Sequence, residues 1–239
     1  MAETVPVTPV LVVTAHPDDV DFGAAGTVSR WVRAGAHVVY CVVTDGDAGG
    51  HERAVDAGGM AALRRREQVA AAASVGVTDV RFLGYRDGCV EPTLDLRRDI
   101  TRVIRQVRPL RLLTHSPERN YVRVAQSHPD HRAVGAAALD AVYPDARNPY
   151  AFPELLADEG LEAWTVPEVW LRGSPVPNHY EDITDVFDRK MAAIRAHESQ
   201  TAHIEGLDEV IRGRLADVGT AGGLAPGRLA ESFQVVHTA

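Results

Sequence analysis

Residues 10–19 read VLVVTAHPDD, an apolar and β-branched run that ends in a histidine and two carboxylates. A continuous run such as Val10–Thr14 is typical of a strand buried on both faces of a parallel sheet. In an open parallel sheet, ligands bind beyond the carboxyl ends of the strands. This one stretch therefore predicts a parallel sheet and a polar site that begins just after its first strand.

The pattern of strand followed by helix continues outward from this stretch. Further strands are predicted at Val38–Thr44, Asp79–Leu83, Leu110–Thr114 and Glu168–Arg172. Helices are predicted at Gly26–Ala34, Met60–Val75, Leu94–Val107, Arg132–Val142, Asp185–His197 and Leu207–Leu215. Such alternation predicts a three-layer, Rossmann-like α/β fold, with a mostly parallel sheet and helices on both faces. The C-terminal third is predicted to be loop-rich. No composition shift divides the chain, so we expect one domain over residues 1–239.

Composition and charge limit the classes of protein to which this chain can belong. The 239 residues include 25 Lys and Arg against 33 Asp and Glu, a net charge of −8, which repels nucleic acid and anionic membranes. The N-terminus lacks the basic and apolar regions of a secretory signal. Cys41 and Cys89 do not supply a disulfide framework. We therefore expect a cytoplasmic protein that binds neither nucleic acid nor membrane.

Three polar segments follow predicted strands. They are His16-Pro17-Asp18-Asp19, Thr44–Gly50 and Ser127-His128-Pro129-Asp130-His131. A dinucleotide-binding fold would place a Gly-x-Gly-x-x-Gly turn after the first strand, whereas this chain has a histidine and two carboxylates there. Carboxylates repel a pyrophosphate and attract a divalent cation. Mixed His and Asp donors favour zinc or another borderline metal.

The spacing leaves the choice of ligands open. A catalytic zinc takes three protein ligands and keeps one position for water. His16, one residue of the pair Asp18 and Asp19, and one of the pair His128 and His131 supply that number. The remaining carboxylate and imidazole are then free for proton transfer. Alternatively, the aspartates cap the following helix, and the glycine-rich segment 44–50 either cradles substrate or only turns the chain.

The paired motifs resemble those of the PIG-L/LmbE-like zinc deacetylases. That family includes N-acetylglucosaminyl-phosphatidylinositol deacetylases, the deacetylases of mycothiol and bacillithiol synthesis, and the mycothiol conjugate amidase. Weaker similarities lie at Thr44-Asp45-Gly46 with Gly49-Gly50, Arg64-x-x-Glu67, Gly84–Gly88, Lys190 and His197–Gln200. The family's first motif often continues with Glu, but here Val20 stands at that position and Asp21 follows it.

The resemblance implies a metal site with Zn²⁺, or another divalent ion such as Fe²⁺, as the cofactor. The ligands implied are His16, Asp19 and His131. Asp18 is implied as the general base that acts on metal-bound water.

The resemblance also implies roles for three further residues. His128 protonates the leaving amine or stabilises the oxyanion, and Asp130 orients His128 and keeps it charged. Arg64 contacts substrate. The alternative for Arg64 is a helix-surface ion pair with Glu67.

The function implied is a zinc-dependent hydrolase that removes the acetyl group from an N-acetylated amino sugar or glycoside. An amidase that cleaves a larger amide, such as a mycothiol-type conjugate, is the first alternative. A non-catalytic metal- or nucleotide-binding module is the second, and the absence of a phosphate-binding glycine pattern and of paired cysteines counts against it. The expected partner is a small N-acetylated sugar, and the resemblance is compatible with a homo-oligomer.

Overall fold

A computed structural model describes residues 8–49 and 56–238. Within these ranges the strands are β1 (Pro9–Thr14), β2 (His37–Thr44), β3 (Asp79–Tyr85), β4 (Arg111–His115), β5 (Glu168–Arg172), β6 (His179–Asp182) and β7 (Ala230–His237). They form one seven-stranded sheet in the order β3-β2-β1-β4-β5-β7-β6. The first five strands in this order are parallel, and β7 runs antiparallel to both of its neighbours.

The helices alternate with the parallel strands. They are α1 (Asp19–Arg33), α2 (Ala57–Val75), α3 (Leu94–Val107), α4 (Pro129–Asp140), α5 (Pro153–Ala157), α6 (Phe187–Arg195), α7 (Glu198–Thr201) and α8 (Leu207–Ala221). Short helical turns lie at Val124–Ser127, Ala141–Ala146 and Thr184–Val186. None of the described helices combines the length and the hydropathy needed to cross a membrane.

The side chains of β1 show how the three layers are held together. Val10 and Val12 pack into a buried cluster with residues of α1, α2 and α6. Leu11 and Val13 point to the other face and pack with residues of α3 and α4. Alternate residues of a strand face opposite sides of the sheet, so an unbroken apolar run is buried on both. The predicted three-layer α/β fold is confirmed.

The strand order determines which edge of the sheet is the functional edge. Successive connections leave β1 in opposite directions, because β2 and then β3 lie on one side of it and β4 and then β5 on the other. The carboxyl ends of β1 and β4 are therefore neighbours at a topological switch point, where ligands bind in open α/β sheets. The two paired motifs follow these two strands.

The structure differs from the sequence prediction in several places. Two antiparallel strands, β6 and β7, lie in the third predicted to be loop-rich, because short mixed sequences such as His179–Asp182 carry little strand signal. Helix α1 begins at Asp19 instead of Gly26. Gly26 lies inside this helix and its position requires glycine, because a Cβ on residue 26 would lie 2.7 Å from Ile183 Cδ1. Helix α4 begins at Pro129, a residue compatible with a first helical turn. Gly50, the last residue of the predicted glycine-rich segment, lies outside the described residues.

Candidate metal centre

The three expected ligands meet at the carboxyl ends of β1 and β4. Asp19 Oδ1 lies 2.9 Å from His131 Nε2, and Asp19 Oδ2 lies 3.3 Å from His16 Nδ1. The two histidines approach each other at 3.3 Å between His16 Nδ1 and His131 Nε2, although they are 115 positions apart in the chain. All three side chains are buried. The fold thus brings one carboxylate and two imidazole nitrogens to a single point.

The donor spacing fits a zinc-sized ion. Ligand atoms roughly 2.0–2.1 Å from a tetrahedral zinc lie about 3.3 Å from one another, and the two separations that involve His16 Nδ1 have this value. Each of His16 and His131 also belongs to further groups of potential donors whose atoms all lie within 4.8 Å of one another. Those groups add His115, His128, Asp87 and Asp130. Nitrogen donors together with carboxylate oxygens form a ligand set that zinc and similar borderline metals accept.

Carboxylates surround the far side of the His16 ring. His16 Nε2 lies 3.1 Å from Asp87 Oδ1 and 3.2 Å from Asp130 Oδ2. A metal-binding histidine commonly donates its second ring N–H to a carboxylate, which fixes the tautomer and leaves the first nitrogen for the metal. Burial alone lowers the pKa of His16, but hydrogen bonds to Asp19 and Asp87 outweigh it and raise the pKa to about 10. Such an excess of negative charge fits a bound cation.

The Asp130 carboxylate has partners other than the expected one. Its Oδ2 accepts the Gly88 N–H at 2.7 Å and faces His16, and its Oδ1 accepts the Val90 N–H at 3.2 Å. The structure directs this carboxylate toward His16, and its expected role in orienting His128 stays a prediction. The backbone N–H of Asp130 donates to His128 Nδ1 at 3.2 Å.

His128 caps the N-terminus of α4 with its ring. Because Nδ1 accepts a backbone N–H, the neutral ring carries its hydrogen on Nε2, the nitrogen left for other partners. Burial, together with the charges of His16 and His131, lowers the pKa of His128. This direction runs against the expectation that a neighbouring carboxylate keeps His128 protonated.

Asp18 and Asp19 point in different directions because the backbone turns at Asp18. Its φ of +90° lies in the left-handed region, and its carboxylate makes no helix-capping hydrogen bond. Asp18 Oδ2 instead accepts from Arg64 Nη2 at 2.9 Å. Burial and repulsion from Asp19 raise the pKa of Asp18 to about 6, against the attraction of Arg64. Asp19 is held by the His16 N–H, which donates to Oδ2 at 2.8 Å, so the purely capping alternative does not describe this pair.

Arg64 is buried beneath the site. Besides Asp18, it donates to the Gly46 carbonyl at 2.9 Å and to the Pro17 carbonyl at 2.7 Å. The alternative ion pair with Glu67 is not formed, since the Glu67 carboxylate accepts from the N–H and hydroxyl of Ser199. The expected contact between Arg64 and substrate remains a prediction.

The glycine-rich segment makes room for this arginine. A Cβ at Gly46 would lie 2.3 Å from Arg64 Nη1, and Gly46 has a φ of +65°. The glycines of this segment that the structure describes therefore pack directly against Arg64. Gly46 lets the guanidinium reach Asp18.

Sequence reasoning missed the role of His115, the last residue of β4. Its ring stacks on His131 with centroids 4.2 Å apart, and its Nε2 accepts the Ala15 N–H at 3.0 Å. Burial, with repulsion from His131, lowers the pKa of His115 to about 3. The backbone occupies that nitrogen, and the ring of His115 packs against the expected ligand His131. Its place at the carboxyl end of a strand is the signal that would have identified it.

Two more residues were not assigned by sequence reasoning. Asp87 follows β3 and contacts His16, as described above, and Arg172 ends β5 with Nη1 at 3.3 Å from Asp19 Oδ1. A cavity of about 900 Å³ extends from His131 and Arg172 toward α8. Its walls include the apolar side chains Phe22, Val122, Val124, Tyr180, Ile211 and Leu215. This volume is in the usual range of small-molecule sites.

Comparisons with known proteins agree with this site. A family model described as PIG-L: GlcNAc-PI de-N-acetylase matches residues 11–142, a range that holds both paired motifs. The chain is 33% identical over 191 residues to the diacetylchitobiose deacetylase of Thermococcus kodakarensis, covering 80% of this chain and 69% of that protein. It is 31% identical over 199 residues to a probable N-acetyl-α-D-glucosaminyl L-malate deacetylase of Bacillus cereus, covering 80% and 83%. A solved structure of the N,N'-diacetylchitobiose deacetylase of Pyrococcus horikoshii, in complex with its inhibitor MPG, aligns with a TM-score of 0.87 at 30% identity, over 95% of this chain and 83% of that one.

Proposed function

The chain belongs to the PIG-L family, and on that premise we propose that it is a metal-dependent hydrolase that removes the acetyl group from an N-acetylated amino sugar or its glycoside. The two relatives described above are named for substrates that share an N-acetylglucosamine unit. The observation that carries the proposal is the convergence of His16, Asp19 and His131 beside a carboxylate, Asp18, that belongs to none of the contacts among them.

His16, Asp19 and His131 are the proposed ligands, and zinc is the proposed metal, with Fe²⁺ as the alternative. A divalent ion held there supplies Lewis acidity, which makes water nucleophilic near neutral pH and polarises the amide carbonyl. His16 would bind through Nδ1, since its Nε2 faces Asp87 and Asp130. His131 would bind through Nε2, since its Nδ1 faces the Gln126 carbonyl at 3.3 Å.

The remaining proposed roles belong to Asp18, Arg64 and His128. Asp18 is the proposed base, which takes the proton of the attacking water, and Arg64 keeps its carboxylate in place. His128 presents Nε2–H, the hydrogen-bond donor proposed to stabilise the developing oxyanion. The proton that Asp18 took from water is proposed to pass to the departing amine as the C–N bond breaks. Activity is therefore expected to fall at low pH, where Asp18 is already protonated.

We further propose that the chain forms one deacetylase domain. A single sheet includes strands from Pro9 to His237, so the N-terminal and C-terminal parts of the described chain share one layer. The cavity beside His131 and Arg172 is the proposed place for the remainder of the sugar substrate.

The proposal is tested by loading the purified protein with Zn²⁺ or Fe²⁺ and assaying N-acetylglucosamine, diacetylchitobiose and a mycothiol-type conjugate. The expected result is equal release of acetate and free amine from an amino sugar. His131→Ala is expected to abolish this activity, and His37→Ala, at an exposed position on β2, serves as the matched control. Release of a larger acid from the conjugate, with no acetate from any amino sugar, would support the amidase alternative and contradict the deacetylase.

A further inference from the structure

A buried polar chain lies behind Asp18, on the side away from the proposed ligands. The Asp18 N–H donates to Gln68 Oε1 at 2.9 Å, and Gln68 Nε2 donates to Asp21 Oδ2 at 2.9 Å. The same Asp21 oxygen accepts from His197 Nε2 at 2.8 Å. Gln68, Asp21 and His197 are each 0% exposed. One glutamine side chain thus connects the backbone of Asp18 to a buried carboxylate and histidine.

The backbone of Asp18 requires such support. A residue with a Cβ is disfavoured at a φ of +90°, and a conformation of this kind persists only where the surrounding structure determines it. Arg64 holds the carboxylate of Asp18 but not its N–H. The hydrogen bond from the N–H to Gln68 therefore holds one end of the Pro17–Asp18 peptide, and Arg64 Nη2, which donates to the Pro17 carbonyl at 2.7 Å, holds the other end.

Asp21 fixes the orientation of the Gln68 amide. A carboxylate accepts hydrogen bonds, so Asp21 selects the NH₂ end of the amide and leaves the carbonyl end for Asp18. Lys190 in turn holds the first turn of α1, since its Nζ donates to the carbonyls of Asp21 and Phe22 at 2.9 and 2.7 Å. These contacts come from α1, α2 and α6 and from His197, just before α7, so the arrangement depends on packing between separate elements.

We propose that Gln68 is a positioning residue for the general base Asp18, and that the Asp21–His197 pair holds the Gln68 amide in the orientation this requires. The inference rests on the proposed function, because it assumes that Asp18 is the base. It also assigns a role to Asp21, the acidic residue that follows Val20 in the first motif.

The test compares steady-state kinetics and metal content of Gln68→Met with those of the parent protein. Methionine preserves the length of the side chain but makes neither hydrogen bond. The kcat is expected to fall roughly 10–100-fold, as a displacement of about 1 Å in a reacting group can cause. Bound metal is expected to stay unchanged and KM to stay within about threefold, because substrate and metal contacts remain in place. Gln106→Met, on the exposed side of α3, is the matched control.

A double-mutant cycle separates positioning from a general structural effect. In an Asp18→Asn background, Gln68→Met is expected to change the residual rate less than about threefold, because the residue that it positions no longer acts as a base. A folded, metal-loaded Gln68→Met with parent-like kcat overturns the inference, and so does a full additive loss in the cycle. If Gln68→Met does not fold, Gln68→Asn takes its place, since its shorter amide does not span both partners. Full activity of Asp18→Asn would instead contradict the base assignment of the proposed function.

Discussion

At the scale of single residues, the site depends on two neighbouring aspartates with different surroundings. Asp19 lies among His16, His131 and Arg172. Burial raises the pKa of Asp19, but His131 and His115, through their charges and hydrogen bonds, outweigh burial and hold that pKa well below its usual range. The carboxylate of Asp18 accepts from Arg64, and burial raises its pKa. The left-handed backbone at Asp18 separates the two carboxylates, so one suits a ligand and the other a base.

Replacing Asp18 by Asn is expected to leave the metal bound and to lower kcat by roughly 10²–10⁴-fold, because the amide does not accept the proton of water. Metal analysis and initial rates on the same preparation measure both effects. His131→Ala is expected to lose the metal as well as the activity. An Asp18→Asn protein that turns over at the parent rate with metal bound would refute the base assignment.

Asp87 is expected to tune the affinity of the site for its metal. It shares the His16 Nε2 contact with Asp130 and receives the Ala48 N–H at 3.1 Å. Asp87→Asn removes a charge that orients the ligand, and such a change weakens metal binding about 10–100-fold. Competition with a chelator of known affinity measures the change. Asp95→Asn, at an exposed position in the first turn of α3, is the control. Equal affinities in both variants would show that Asp130 alone orients His16.

At the scale of elements, a few closely packed side chains connect segments that are distant in sequence. Arg64 of α2 crosses under the segment that follows β2 and reaches the turn that follows β1. Glu168 at the start of β5 receives Arg111 from β4 and Trp170 from its own strand. The first set of contacts joins α2 to two segments at the carboxyl edge of the sheet, and the second joins β4 and β5 at their amino ends.

Gly46→Ala is expected to displace Arg64 and, through it, Asp18. The new methyl group would overlap the guanidinium, so we expect about a tenfold loss of kcat with the metal retained. Gly160→Ala is the matched control, since Gly160 also has a positive φ of +67° but has open space around the added Cβ. The control is expected to lose only about 1 kcal/mol of stability, the penalty for a left-handed residue. Kinetic constants that match between the two variants would contradict this role of Gly46.

The pair of Glu168 and Arg111 predicts a pH dependence of stability. Burial raises the pKa of Glu168, but hydrogen bonds from Arg111 and Trp170 outweigh it and lower the pKa below its ordinary value. The folded protein therefore binds this proton less tightly than the unfolded chain does. The stabilisation is present above the unfolded pKa and is lost as the pH falls through the folded pKa.

Glu168→Gln is accordingly expected to lower the free energy of unfolding by about 0.5–1 kcal/mol at neutral pH. The difference from the parent should shrink below about pH 4. Urea melts at a series of pH values measure it, with exposed Glu205→Gln as the control. A difference that grows on acidification would show that the sign of the shift is wrong.

At the scale of the whole molecule, the topology concentrates acidic groups where three polar segments meet. Asp18, Asp19, Asp87 and Asp130 come from segments after β1, after β3 and at the start of α4, in a chain whose net charge is −8. Arg64 and Arg172 offset part of the mutual repulsion among these carboxylates, and a bound cation would offset more of it. We therefore expect metal binding to stabilise the folded state.

Removal of the metal is expected to lower the melting temperature. A ligand that binds only the folded state at about 1,000 times its Kd stabilises it by about 4 kcal/mol. For a chain of this length that corresponds to a shift of roughly 8–16 °C. Calorimetry with and without a chelator, followed by addition of Zn²⁺, measures the shift and its reversal. His131→Ala is expected to show no shift, whereas an equal response in this variant would place the stabilising ion elsewhere.

Much of the fold and part of the site follow from local sequence. The apolar run Val10–Thr14 is buried on both faces because such a strand leaves no polar side chain for solvent, and the two His-Pro-Asp motifs follow strand ends as predicted. The residue types at these positions indicated a metal. Local patterns therefore determined the fold class and the residue types of a metal site, whereas the choice of His16, Asp19 and His131 as ligands came from the family resemblance.

Only the tertiary structure decided which partner each of these groups has. The direction of the Asp130 carboxylate toward His16, the burial of Arg64 under Asp18, and the contacts of His115, Asp87 and Gln68 all join residues from different elements. The antiparallel strands β6 and β7 likewise depend on pairing with β5 and with each other. The physical reason is that a periodic pattern reports which face of an element is buried, whereas the choice of a polar partner depends on distances between elements that no local pattern contains.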